Sequence, residues 1–257
     1  MDEILEHARQ LNDAIDAIKG SHQTVFWGDR MLTLDKSADF LLDQNFAQAF
    51  AAVRGSHKYD EYDSPQGIAW RLNTLCWAAR CGLRTGGAFV ECGVFKGDMA
   101  WVVLHVLGAN NIPPFYLYDT FAGFSSMYSA PEDYPDNPSY LDFANRFYQQ
   151  EGLYEGVMER FSPFGQIHVV RGVLPDSLAQ TSPDSIGFLH IDLNSPAAEV
   201  GVLEVLWDRV LPGGVVVFDD YGWKIFHKQK QAEDEFMRAR GHEILELPTG
   251  QGLVIKR

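Results

Sequence analysis

From residue 87 onward the chain alternates between two patterns. The runs AFVECGV (88–94), PFYLYDT (114–120), IHVVRG (167–172), SIGFLHIDL (185–193) and GVVVFDD (214–220) are continuously apolar, as in strands buried on both faces. Between them the periodicity is helical over 98–107, 196–210 and 223–240. The last stretch, HEILELPTGQGLVIKR, predicts two short strands joined at 248–252 as an antiparallel pair. This pattern predicts an α/β fold: a mostly parallel seven-stranded sheet with an antiparallel C-terminal strand and helices on both faces.

Ahead of residue 87 the pattern is helical. Ile4, Leu5, Ala8, Leu11, Ile15 and Ile18 share one face of a helix ending at Gly20. Further helices are predicted over 37–53, with Phe40, Leu41, Phe46 and Phe50 buried, and over 68–81. Residues 1–86 therefore read as a helical extension packed on a core of residues 87–257. No Ser/Gly or Pro tract divides the chain, which favours one domain. Residues 121–165 are long for a connection between strands and predict a lid or acceptor wall. Phe124, Met127, Tyr128 and Tyr134 are its candidate apolar contacts, and the Asp60–Ser64 region could help to shape the same pocket. A surface excursion with packed aromatics explains the loop equally well.

Composition narrows the functional classes. Hydrophobic residues at 46% and aromatics at 13% supply a sizeable core. A formal net charge of −14 argues against a general nucleic-acid or anionic-membrane binder, whereas a cation could sit in such a field. Cys76, Cys81 and Cys92 follow no metal or redox spacing and read as buried free thiols, which suits a reducing cytoplasm. The N-terminal MDEILEHARQ lacks the apolar segment of a signal peptide, and no window approaches the roughly 18 apolar residues of a membrane span. A cytoplasmic protein without membrane or nucleic-acid partners is expected.

In parallel sheets, ligands bind at the carboxyl ends of the strands. Those ends carry Glu91 with the turn Gly93–Gly97, then Asp119, then Arg171 and Gly172, then Asp192 and Asn194, and finally Asp219 and Asp220. The glycine turn matches neither a dinucleotide fingerprint nor a P-loop. Glu91 suits a ligand with an ammonium group better than a phosphate. Asp119 could accept bonds from vicinal ribose hydroxyls or cap a helix. Together these features imply a nucleoside with a cationic tail, the shape of S-adenosylmethionine. Asp192, Asp219 and Asp220 end two strands which, as neighbours about 4.8 Å apart, would gather three carboxylates. A hard divalent cation would neutralise them, with Mg²⁺ favoured over zinc because no His or Cys cluster is present. Asp219 as a turn residue, and Asp220 and Asp192 as helix caps, are the structural alternatives.

The segments VECGVFKG, YDTFAGF, FLHIDLN and LPGGVVVFDDY resemble the macrocin O-methyltransferase (TylF/MycF-type) family of class I S-adenosylmethionine-dependent methyltransferases, over residues from about 71 to the C-terminus. The resemblance implies a Rossmann-like methyltransferase core. It implies cofactor contacts at Glu91, Gly93, Gly97, Asp119, Thr120, Phe121, Gly172 and Val173, and Mg²⁺ at Asp192, Asp219 and Asp220. Its members methylate sugar hydroxyls on macrolides and related natural products. Relatives often read D-x-D where this chain has Asp192–Leu193–Asn194. Asn cannot take the acceptor's proton, so the metal must acidify the hydroxyl unaided or another base must serve. His190 and His227 are the candidates; Lys228 and Lys230 would have to be neutral. The expected catalytic set is Asp192, Asn194 and His227. The expected function is S-adenosylmethionine- and Mg²⁺-dependent O-methylation of a small-molecule hydroxyl, most simply of a sugar. The alternatives are a catechol-like or other vicinal-diol methyltransferase and a non-catalytic cofactor-binding protein. A homo-oligomer is expected from the amphipathic first helix and from the resemblance.

Overall fold

The structure, a computed structural model, describes residues 2–22, 24–54 and 66–257, without the side chains of residues 2–8, 11 and 12. The Asp60–Ser64 region and the first part of the predicted apolar face, Ile4 to Leu11, lie outside the described residues and side chains.

Helix α1 (Asp2–Lys19) is followed by a hairpin of β1 (Val25–Gly28) and β2 (Met31–Leu34), then α2 (Gln44–Val53) and α3 (Ala69–Leu83). The hairpin is an addition to the helical extension expected from sequence. Its two-residue turn places Asp29 at φ 50° and Arg30 at φ 56°, the left-handed pair that suits hairpin twist. Asn-Gly or Asp-Gly would have announced such a turn; Asp-Arg does not.

The core then runs β3 (Ala88–Cys92), α4 (Asp98–Leu107), β4 (Phe115–Asp119), α5 (Tyr140–Tyr148), α6 (Leu153–Phe161), β5 (Ile167–Arg171), β6 (Ile186–Ile191), α7 (Pro196–Leu206), β7 (Val210–Phe218), α8 (His227–Arg238), β8 (Leu245–Glu246) and β9 (Gly252–Ile255). The seven-stranded sheet has the order β5-β4-β3-β6-β7-β9-β8. Strands β3 to β7 pair in parallel, and β9 runs antiparallel to β7. This is the predicted sheet.

The continuous apolar runs are explained by alternation between two cores. Phe188, Val215 and Val217 join Leu72, Leu75, Val102 and Leu104 on one face. Leu189, Val216 and Phe218 join Val202, Leu203 and Met237 on the other. Each such side chain, fully buried, contributes about 1.5–3 kcal/mol. Helix α3 packs on β6 and β7, so the covering of the sheet begins before residue 87, and α2 packs on α4. The N-terminal residues Phe26, Phe46 and Val53 belong to the same core as Phe89 and Val215. Helix α7 stops at Leu206, short of the predicted 210, and β7 starts at Val210. Its register against β6 then shifts across Leu211–Gly214, where Pro212 has no N–H and Gly213 takes φ 83°. Among the described residues, no helix is long and apolar enough to cross a membrane.

Strand order reverses between β3 and β6, which lie side by side while their successors diverge. Such a reversal opens a crevice at the carboxyl edge.

Candidate active site

At that crevice the β3–α4 turn passes against the end of β6. Gly93 adopts φ 90°, and a Cβ there would lie 1.8 Å from the Asp192 carbonyl oxygen, so no side chain fits. Gly97 takes φ 78° as the N-cap of α4 and rests against the Phe161 ring. Asp119 holds this turn from the next strand. Its Oδ2 accepts from the backbone N–H groups of Val94 (2.7 Å) and Phe95 (2.8 Å), and its Oδ1 from Phe121 N–H (2.6 Å). Three of its roughly four acceptor sites are therefore engaged by the chain itself.

The turn forms one wall of a cavity. Of the expected cofactor residues, Glu91, Gly93, Asp119, Thr120, Gly172 and Val173 line it. Gly97 and Phe121 do not: Gly97 packs on Phe161, and the 5% exposed Phe121 packs on Tyr154. Their place is to shape the wall from behind. The lining carries Glu91, Asp98, Asp119 and Asp192 against a single cation among the described residues, Lys96. An acidic crevice of this kind favours a cationic ligand and disfavours a phosphate.

Asp192 connects the cavity to the cluster beyond it. Ligand oxygens of Asp192, Asp219 and Asp220 all lie within 4.8 Å of one another. Arg71, from α3, also reaches this cluster. Its Nη1 donates to Asp219 Oδ2 (2.5 Å) and Asp220 Oδ1 (2.8 Å), while its Nε and Nη2 donate to the two carboxylate oxygens of Asp29 at the hairpin tip (3.1 and 3.3 Å). Asp219 further accepts from Gln251 Nε2 (2.9 Å), and His190 Nε2 stands 3.6 Å away. The guanidinium and the imidazole hold the Asp219 carboxyl below the usual range despite its burial. Burial instead pushes Asp192 well up, with Asp219 and Asp220 adding like charge. Asp220 is also raised, by burial against the pull of Arg71.

These contacts settle the capping alternatives. Ser195, not Asp192, caps α7, and no side chain caps α8. His190 is sealed inside, at 1% exposure, with Nδ1 3.6 Å from Glu91 and Nε2 facing Asp219. Its carboxylate neighbours, Asp219 and Glu91, raise it to about 10 against the effect of burial. His227 lies 47% exposed, beside the Lys224 carbonyl (3.1 Å) and Asp136 (3.5 Å), and is not part of the cavity lining. Its expected role as a base finds no support there.

Asn194 sits at φ 54° with its Nδ2 donating to Asp192 Oδ1 (3.2 Å) and its Oδ1 buried without a partner among the described residues. The loop 121–165 closes over this turn. Tyr134 OH donates to the Asn194 carbonyl (2.5 Å), and Ser195 Oγ donates to the Tyr128 carbonyl (2.5 Å). Phe124 and Tyr128 line the cavity, as expected of a wall. Met127 is 67% exposed and Tyr134 is 1% exposed in the packing beneath, so neither serves as the expected contact.

Residues 73–246 match the family model described as Macrocin-O-methyltransferase (TylF). The chain belongs to this family. Within the macrocin O-methyltransferases it is 27% identical over 160 residues to mycinamicin III 3''-O-methyltransferase of Micromonospora griseorubida, a match covering 59% of this chain and 62% of that enzyme. The match therefore spans under two thirds of that relative's length. Among solved structures, the O-methyltransferase NovP superposes with a TM-score of 0.66 at 19% identity, covering 86% of this chain and 99% of that one. The calicheamicin methyltransferase CalS11 gives 0.54 at 17%, covering 86% and 93%. At these identities the superpositions establish a shared Rossmann-like methyltransferase fold.

Arg71 is the functional residue that sequence reasoning missed. It marked only where the stretch resembling the family begins. A lone arginine in the apolar helix AWRLNTLCWAA was the available signal.

Proposed function

We propose that this macrocin O-methyltransferase family member is an S-adenosylmethionine-dependent O-methyltransferase. Its acceptor is a sugar hydroxyl of a glycosylated natural product, and its cofactor metal is Mg²⁺. The observation that carries this reading is the acidic crevice joined, through Asp192, to a three-carboxylate cluster. The family match and the natural-product methyltransferase among its relatives support the acceptor class.

The residues fit both groups. Glu91 lines the cavity as the carboxyl group for the cationic tail of the donor, and Asp119 fixes the turn at the cavity wall through three backbone N–H groups. The cluster has the spacing of oxygens around one hard cation, about 4 to 5 Å across. Arg71 serves Asp29, Asp219 and Asp220 but makes no hydrogen bond to Asp192, so the cluster keeps excess negative charge. Asp192, Asp219 and Asp220 would hold Mg²⁺, which would lower the pKa of a coordinated acceptor hydroxyl. Asn194 orients Asp192 through its amide and takes no proton. Asp192 is then the carboxylate placed at both the cavity and the cluster. Lid residues Phe124 and Tyr128 exclude water and position the acceptor.

The test is methyl transfer from radiolabelled donor to a panel of glycosylated natural products, with and without Mg²⁺. Donor should raise the melting temperature of the wild type and of Asp192→Asn alike. Turnover should require Mg²⁺ and be lost in Asp192→Asn. Full activity of that variant in EDTA would refute the metal reading.

A further inference from the structure

A second pair of acids lies behind the site, outside the cavity lining. Glu199 on α7 and Glu233 on α8 are each 0% exposed. Glu199 Oε1 accepts from the backbone N–H groups of Leu193 (3.1 Å) and Asn194 (3.0 Å). The two carboxyl groups lie close enough to influence each other across the packed α7 and α8 helices, and Glu233 Oε1 accepts from Gln229 Nε2 (3.1 Å). Their Oε2 atoms are buried and receive no N–H or O–H from other described residues. Among the described residues, the titratable groups facing the pair include Asp220 beyond β7, Asp234 on α8, the phenols of Tyr134 and Tyr221, and the Cys92 thiol, none of them a cation. Two ionised carboxylates cannot face each other in a dry site without a counter-charge.

We propose that Glu199 and Glu233 form a carboxylate–carboxylic acid pair, sharing one proton, that positions the Asp192–Asn194 turn for the methyl transfer proposed above. Glu199 is the anion, because it accepts two main-chain N–H groups. Glu233 is the acid, and its O–H points to Glu199. Asn194 at φ 54° is a backbone shape that a non-glycine residue holds only when its surroundings fix it. Glu199 grips that turn from below through Leu193 and Asn194, and Tyr134 grips it from above through the Asn194 carbonyl. The Asn194 amide then sets Asp192. Neither glutamate lines the cavity, so both are positioning residues. A proton shared inside the pair, in place of a cation, lets the turn be held by an anion while limiting the pair to one negative charge near the Asp220 carboxylate.

Three variants and two readouts besides turnover test this. The wild type should show a carboxylic-acid C=O infrared band at neutral pH that disappears in Glu233→Gln. Glu233→Gln should keep kcat near that of the wild type, because the amide donates to Glu199 without needing the proton. Glu199→Leu should lose kcat about 10- to 100-fold and raise the acceptor KM. Donor affinity should hold, and hydrogen exchange at the Leu193 and Asn194 amides should accelerate. Glu199→Gln, which keeps an acceptor oxygen, should recover most of both. If Glu199→Leu does not fold, Glu199→Gln and the infrared band decide. No acid band in the wild type, or unchanged kcat and exchange in Glu199→Leu, overturns the proposal. The infrared and exchange readouts need no methyl transfer, so a wild type without turnover would sink the functional reading and leave the pair to be judged alone.

Discussion

Arg71 lies 148 residues before Asp219 in the chain, yet its guanidinium carries the two aspartates at the mouth of β7. Sequence showed that adjacent aspartates after a buried strand need compensation, and it supplied one candidate, a divalent cation. Hydrophobic pattern placed Asp192, Asp219 and Asp220 together because strand ends follow from apolar runs. It could not place Arg71, because the side of α3 facing β6 and β7 depends on packing. The exchange of charge is unequal: one guanidinium meets three carboxylates with 8% of its side chain exposed. Removing one partner of a buried pair costs about 3–5 kcal/mol. Arg71→Met should therefore lower the melting temperature sharply. Added Mg²⁺ should restore more of that loss than it adds to the wild type, since Asp219 and Asp220 will have lost the guanidinium bound to both. Arg71→Lys should fall between, because an ammonium cannot span Asp29 and the Asp219–Asp220 pair as the fork of the guanidinium does. Thermal melts of the three proteins across a Mg²⁺ series check this, and an unshifted Arg71→Met midpoint would contradict it.

Among elements, the strands and the long core helices were legible because burial on two faces leaves an uninterrupted apolar run. The N-terminal hairpin was not legible. Its strands are four residues long, its turn lacks glycine at the central positions, and Leu32 faces outward at 42% exposure. Helix α6 inside the 121–165 loop was also hidden, since Gly156 interrupts LYEGVMERF with a poor helix former. The loop's likeness to a lid could be read from its length; its latch could not. Tyr134 OH to the Asn194 carbonyl and Ser195 Oγ to the Tyr128 carbonyl are the two bonds joining lid to turn. Tyr134→Phe removes one of them for about 1 kcal/mol and keeps the ring packing on Tyr140 and Phe226. Overall stability should change little. Proteolysis within 121–165 should quicken and the acceptor KM should rise, while donor binding holds. Equal proteolysis rates in the two proteins would show that the bond does not hold the lid.

At the scale of the molecule, most buried acids near the crevice shift in one direction. Asp192, Asp220, Glu91, Glu199 and Glu233 are all raised, with burial as the largest cause. A raised folded-state pKa contributes stability that is present below the unfolded value, about 4 for these acids, and is lost as pH climbs to the folded value. His190, raised to about 10, adds a loss of the same sign between its unfolded value near 6.5 and that pH. Asp219 is lowered, but its window lies below about pH 4. The metal-free protein should therefore weaken steadily from mildly acidic to alkaline pH, by at most about 1.4 kcal/mol per pH unit for each proton involved. A formal charge of −14 pushes the same way through self-repulsion. Mg²⁺ should counter this, because it competes with protons for Asp192 and Asp220. The rise in melting temperature that it produces should thus grow with pH, and Glu233→Gln should melt with a shallower alkaline decline than the wild type. Melting curves from about pH 5 to 9, with EDTA or with Mg²⁺, separate the two effects. A Mg²⁺ shift that stayed constant over that range would mean that the ion and the protons do not share the carboxylates, and the cluster would have to be reassigned to Arg71 alone.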